Sequence, residues 1–195
     1  MKKILQYNEK PARTTVQSGG VLRQTAEEVP VGEIKDKKIQ NILKEMSASL
    51  RAQDDGVAIA APQVGHSLRI FVVSGKIFSE DFAINRTERL LGVGEADNVK
   101  VPKKKDKDLV FINPKISKLS RDKDWMPEGC LSVRWLYGQT FRSKKATVTA
   151  YDENGKKFVR GASGLLAQIF QHETDHLNGI LFIDHAKDIK EELPK

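Results

Sequence analysis

The sequence predicts an α+β fold: a single domain in which antiparallel or mixed sheets pack around a helix near the C-terminus. Helical periodicity is confined to one early and one late stretch, and β-branched and aromatic runs lie between them. At 195 residues with 39% hydrophobic residues, the chain can bury one sizeable core, so residues 1–195 are expected to form one domain. No internal repeat is present.

Between Asp36 and Arg51, the residues Ile39, Ile42, Leu43, Met46 and Leu50 recur at i, i+3, i+4 spacing, which predicts the first helix. It leads into the small-residue run Gly56 to Ala61. Strands are predicted at Leu68 to Val73, Leu109 to Ile112 and Ala146 to Tyr151, where β-branched and aromatic residues concentrate. Asn154-Gly155 reads as a hairpin turn returning through Lys156 to Arg160. The late helix has Ser163 as N-cap, apolar i, i+4 pairs among Leu165, Leu166, Ile169 and Phe170, and Gly179 as terminator. Ser74 to Asp108 keeps no period and carries the run Lys103 to Asp108. It is expected to be a charged insertion or mobile surface loop at about 74–108.

The late helix contains Gln171-His172-Glu173-Thr174-Asp175-His176. Residues i and i+4 share a helix face, so His172 and His176 can reach one divalent cation, with Ile169 on the same stripe. Glu173, roughly 100° round the helix, can touch a water at that cation without ligating it. A catalytic site of this type needs a third protein ligand. The single cysteine, Cys130, stands in Glu128-Gly129-Cys130-Leu131-Ser132, where Pro127 and Gly129 break regular structure and hold the thiol at a turn or strand edge. A thiolate there suits iron(II), zinc, cobalt or nickel better than calcium or magnesium, and one cysteine rules out an internal disulfide framework. On the residues alone, two alternatives stay open: histidines serving as ordinary polar groups on an amphipathic helix, and a zinc endopeptidase, which shares the His-Glu-x-x-His pattern.

Three ordered motifs narrow the choice. Gly56-Val57-Ala58-Ile59-Ala60-Ala61-Pro62-Gln63, Glu128-Gly129-Cys130-Leu131-Ser132 and Gln171-His172-Glu173-Thr174-Asp175-His176 closely resemble those of peptide deformylases, and the resemblance runs from about Val21 to Asp184. It implies metal-dependent hydrolysis of the N-formyl group from the formylmethionine terminus of nascent polypeptides, releasing formate. By this similarity Cys130, His172 and His176 hold one divalent metal ion, iron(II) in the cell and replaceable by nickel, cobalt or zinc. Glu173 accepts and returns a proton. Gln63 and the backbone N–H of Leu131 are the implied donors to the developing oxyanion; from the residues alone, Gln63 reads as a surface amide in a turn. The substrate main chain is implied to lie along Gly56, Val57, Ala58, Ile59 and Gly129, with Val57, Leu165 and Ile169 lining the methionine pocket. Glu128 and Arg142 form a supporting pair.

Two departures from the family pattern stand out. Ala58 replaces a glycine in the first motif, where its methyl is expected to narrow the groove or exclude positive φ. Arg134-Trp135 follows the second motif where proline is usual.

No apolar run approaches a membrane span, and the N-terminus lacks the apolar core of a signal peptide, so a cytoplasmic location is expected, with no membrane partner. The net charge of +7 suggests weak, salt-sensitive ribosome association through Lys103 to Lys107 and the tail Lys187 to Lys195. No aromatic residues interleave with these lysines, which argues against specific nucleic-acid recognition.

Overall fold

The apolar stripe of the early helix and the near-continuous hydrophobic run that follows it fix the first layer of the molecule. In a computed structural model, which describes residues 2–7, 19–79, 82 and 107–193, a one-turn helix α1 (Gly19–Leu22) precedes helix α2 (Lys37–Arg51). Helix α2 buries Ile39, Ile42, Leu43, Met46 and Leu50, the residues its periodicity selected. Strands β1 (Ala58–Ala60), β2 (Ile70–Val73), β3 (Leu109–Leu119), β4 (Lys123–Gly129), β5 (Leu136–Ser143), β6 (Lys145–Tyr151) and β7 (Lys157–Ser163) follow. Helix α3 (Gly164–Leu177) and strand β8 (Lys187–Glu191) complete the described elements.

Five strands form one antiparallel sheet in the order β1-β2-β3-β6-β7, and three form a second in the order β4-β5-β8. Strand β2 is buried on both faces because alternate side chains serve two cores. Ile70 and Val72 join Ile59 and the α2 stripe, while Phe71 and Val73 join Phe111, Val148, Ala167 and Phe170 on the α3 side. In that second core Phe71 stacks on Phe111 at 4.5 Å between ring centroids, and Phe170 meets Phe111 edge-on at 5.1 Å. Helix α3 therefore turns its apolar face to the five-stranded sheet. Its polar face, with Gln168, His172 and Asp175, bonds to β4 and β5 of the smaller sheet.

The expected α+β architecture, with antiparallel sheets around a late helix, is what the chain adopts. Strand β6 and the hairpin to β7 match the sequence reading, with Gly155 at φ +75° in the turn. Strand β3 runs well beyond Ile112, because Asn113, Pro114 and Lys115 dilute its apolar pattern. Asn113 sits at φ +49° beside a register shift, and its amide both accepts from Val29 N (2.8 Å) and donates to Val29 O (2.7 Å). Strands β4, β5 and β8 left no clear alternation, since their side chains mix charges, glycine and proline on half-exposed surfaces. Ser163 occupies the N-cap of α3, yet its hydroxyl makes no capping bond. Gly179, at φ +73°, follows the last turn of α3 as expected, and its missing side chain admits the Arg23 backbone: a Cβ there would stand 2.7 Å from Arg23 C and O.

The two ends of the charged insertion are held together. Asp108 accepts from Gly75 N at 3.3 Å and pairs with Arg51 at 2.9 Å. Residues 80–81 and 83–106, Lys103 to Lys105 included, lie outside the described residues, as do Pro194 and Lys195 of the tail. Within the described part of that tail, Lys187–Glu191 forms the exposed edge strand β8.

Candidate active site

Between the two sheets lies a cleft of about 310 Å³. The end of β4 and the turn after it supply one wall, with Gly129, Cys130 and Leu131; the segment entering β1 supplies the other, with Gly56, Val57 and Ala58. Helix α3 lies beneath with Leu165, Ile169, His172 and Glu173, and Gln63 also lines the space. Thus most of the residues singled out in the sequence reach one cavity. Ile59 does not: its side chain is fully buried in the core against α2, facing away from the cleft, which leaves only its backbone available there. His176 is buried below the cleft, and Arg142 stands behind Glu128.

Cys130, His172 and His176 come together as a cluster. Their potential ligand atoms all lie within 4.8 Å of one another, and Cys130 Sγ is 3.2 Å from His176 Nε2. His172 Nδ1 is 2.6 Å from Glu128 Oε1, so this ring is oriented by a carboxylate and presents Nε2 to the cluster. Burial holds His176 well below the usual imidazole range, favouring the neutral form that binds metals. For His172, burial works in the same direction, but the neighbouring Glu128 carboxylate outweighs it and raises the ring well above that range. Cation binding here must therefore displace a proton. One sulfur and two imidazole nitrogens form a donor set suited to iron(II), zinc, nickel or cobalt and ill suited to calcium or magnesium, which take oxygen ligands.

Around this cluster stand two further polar groups. The Glu173 carboxyl is buried, its Oε2 has no hydrogen-bond partner among the described residues, and burial pushes it up to about 7. A carboxyl tuned this way can both take and give a proton near neutral pH. Gln63 is buried, contrary to the exposed turn its local sequence suggests. Its Oε1 accepts from Ala60 N at 2.8 Å, which turns Nε2 toward Ser132 Oγ (3.1 Å) and Cys130 Sγ (3.6 Å). The Leu131 N–H, on the same turn, makes no hydrogen bond among the described residues.

Ala58 lies in regular strand β1, paired with Val73, and is absent from the residues at positive φ, so the backbone here does not call for a glycine, while the residue itself lines the cleft. Gly129 has a different reason to be glycine, since a Cβ would stand 2.6 Å from the Tyr137 ring. Sequence reasoning missed the shell that holds Glu128. Besides a bidentate pair with Arg142 (2.8 and 3.1 Å), this carboxylate accepts from Thr140 Oγ1 (2.6 Å) and Gln168 Nε2 (3.3 Å), and Arg142 also pairs with Asp175 (2.6 Å). Thr140 and Gln168 lie outside the three motifs, and Asp175 lies inside the third but was given no role there; the interstrand register and the helix face reveal all three.

A His-Glu-x-x-His helix with an upstream thiol in a cleft between antiparallel sheets defines a metallohydrolase of the α+β class. Comparison with known proteins narrows this further. The profile of the Polypeptide deformylase family matches residues 1–192. Peptide deformylase 1A, chloroplastic/mitochondrial, of Arabidopsis thaliana is 37% identical over 165 residues, which is 84% of this chain and 57% of the relative's length. The peptide deformylase of Borreliella burgdorferi is 37% identical over 153 residues, 78% of this chain and 76% of that one. Among solved structures, a probable peptide deformylase from Synechococcus phage S-SSM7 superposes with a TM-score of 0.70 at 30% identity, covering 95% of this chain and 99% of that one. The class I type b peptide deformylase of Acinetobacter baumannii, in its Met-Ala-Ser-bound crystal structure, gives a TM-score of 0.70 at 26% identity, with 95% and 99% coverage. The chain belongs to the polypeptide deformylase family, hydrolases that remove N-formyl groups from nascent peptides.

Proposed function

We propose that this protein hydrolyses the N-formyl group of formylmethionyl peptides, with Cys130, His172 and His176 holding iron(II) in the cell. The observation that carries this reading is the convergence of one thiol and two imidazoles within 4.8 Å, at a cleft that Glu173 and Gln63 also line. A divalent cation bound there supplies Lewis acidity, polarising the formyl carbonyl and bringing the acid constant of water toward neutrality. Glu173 accepts the proton of the attacking water and delivers it to the departing amine. Gln63 Nε2 and the Leu131 N–H donate to the oxyanion that forms as the formyl carbon becomes tetrahedral. The backbone of Gly56 to Ile59 and of Gly129 pairs with the peptide as an added strand would. Val57, Leu165 and Ile169 offer the methionine side chain an apolar pocket. The Arg142–Glu128 pair fixes the His172 ring and does no chemistry itself.

Purification without oxygen is expected to yield one iron per chain and formate release from formyl-Met-Ala-Ser, with no cleavage of the unformylated peptide. Internal cleavage of unformylated peptides would instead mark an endopeptidase, and a metal-loaded protein that releases no formate would sink the reading.

We further infer one domain over 1–195 with the charged insertion at 74–108, a cytoplasmic location, and weak ribosome association. Among the described residues, no helix is long and apolar enough to cross a membrane. The net charge of +7 favours contact with polyanions, and the exposed edge strand β8 presents Lys187 and Lys190. Co-sedimentation with ribosomes at low salt is expected to fall when Lys103, Lys104 and Lys105 are replaced together by Ala; unchanged sedimentation removes the insertion from this role.

A further inference from the structure

Arg134 and Asp55 close one end of the cleft. Both line it: Asp55 precedes the wall that begins at Gly56, and Arg134 follows the opposite wall at Cys130 and Leu131. Their contact is bidentate, Nη1 to Oδ2 at 2.6 Å and Nη2 to Oδ1 at 3.0 Å, and Nη2 also donates to Gln53 Oε1 at 3.1 Å. The two partners are held unequally. The Arg134 guanidinium lies 4.6 Å from the Trp135 ring centroid and its side chain is 18% exposed, whereas the Asp55 side chain is 45% exposed. Asp55 is the more open partner of the pair, and the cation is the more fixed one, stacked on Trp135 and bonded to Gln53. An arginine has five N–H donors. Three bonds from Arg134 are formed among the described residues, which leaves two donors for an incoming acceptor.

We propose that Arg134 is a specificity residue that favours a carboxylate-bearing side chain among the residues following the formylmethionine. This rests on the deformylase reading above and adds to it a substrate preference set at the cleft mouth. An acidic side chain can take the free guanidinium donors or exchange with the more exposed Asp55 carboxylate. A lysine in the same place must face the fixed cation, and the nearest carboxylate there, Asp55, already neutralises Arg134. The resulting discrimination is that of a partly exposed charge contact and should weaken as salt rises.

The test measures kcat and KM on formyl-Met-Xaa-Ser and formyl-Met-Ala-Xaa, with Xaa as Asp, Ala or Lys, for the metal-loaded protein and for Arg134→Gln and Asp55→Asn. At low salt the wild type is expected to prefer Asp over Lys by about three- to tenfold in kcat/KM at one of the two positions, expressed mainly in KM. That ratio should collapse in Arg134→Gln, grow in Asp55→Asn, and shrink in 0.5 M salt. A wild-type ratio near one on active enzyme, or a ratio that survives Arg134→Gln, overturns the preference while leaving the deformylase reading intact. No turnover of any formyl peptide overturns both. Should Arg134→Gln fail to fold, the Asp55→Asn series decides, since a ratio there no larger than in the wild type contradicts the proposed exchange.

Discussion

Replacing Glu173 by Gln is expected to reduce kcat for formate release by about 10²- to 10⁴-fold while bound metal stays at one per chain. The substitution keeps the shape of the side chain and removes its ability to carry a proton. Glu173 is 3% exposed and its carboxyl is raised to about 7 by burial, so the wild type stores the group as a poised acid at a cost in stability. The sign follows from that shift: a carboxyl raised above its unfolded value of 4.5 favours folding while protonated, and this advantage is lost as pH rises from 4.5 through 7. Metal-stripped Glu173→Gln should therefore gain stability relative to the metal-stripped wild type between pH 5 and pH 8. Urea denaturation at the two pH values measures this. Retained turnover in the glutamine variant would assign the proton transfer to another group, and loss of metal would instead make Glu173 a ligand.

Arg142→Ala carries the largest expected effect on the fold, about 3–5 kcal/mol of destabilisation. Arg142 and Glu128 are 6% and 7% exposed, so truncating the arginine partly strands a buried carboxylate, which keeps His172 at 2.6 Å but loses its bidentate partner, and also breaks the pair with Asp175. Burial by itself raises Glu128, but His172 and Arg142 overcome it and hold the group well below the ordinary carboxylate range. Because the folded value is depressed, the contribution of Glu128 is complete above pH 4.5 and is lost as the pH falls below it. The variant should therefore differ most from the wild type near neutral pH and converge on it in acid. The double variant Arg142→Ala with Glu128→Gln should recover part of the loss, since the stranded charge is gone. Equal denaturant midpoints for wild type and Arg142→Ala at pH 7 would show that His172 alone is enough to hold the Glu128 carboxylate.

How far these features were legible in the sequence depends on the range over which the responsible forces act. His172, Glu173 and His176 could be placed on one helix because a four-residue spacing fixes their mutual direction whatever the rest of the chain does. Helix α2 and strand β2 were readable for the same reason, since burial imprints a period on residues a few positions apart. Strands β4, β5 and β8 were not readable. Strands β4 and β5 pair across a short turn and β8 joins β5 from far along the chain, and the inner side chains of β4 and β5 serve a polar network around Glu128 rather than an apolar core, which leaves no hydrophobic alternation to read. Gln63 reads locally as a turn amide; its burial and its aim at Cys130 come from strands and turns 67 residues away.

By itself, then, the sequence determined the α+β class, the two long helices, and the chemical types present: one soft thiol, two imidazoles at helical spacing, and a carboxyl between them. The tertiary structure decided that the thiol meets a histidine 46 residues further on, that Glu173 is dry enough to titrate near neutrality, and that Arg134 turns onto Asp55 across the cleft. Side-chain spacing acts over a single turn or pleat, whereas burial and pairing between distant segments are settled only when all the layers pack together.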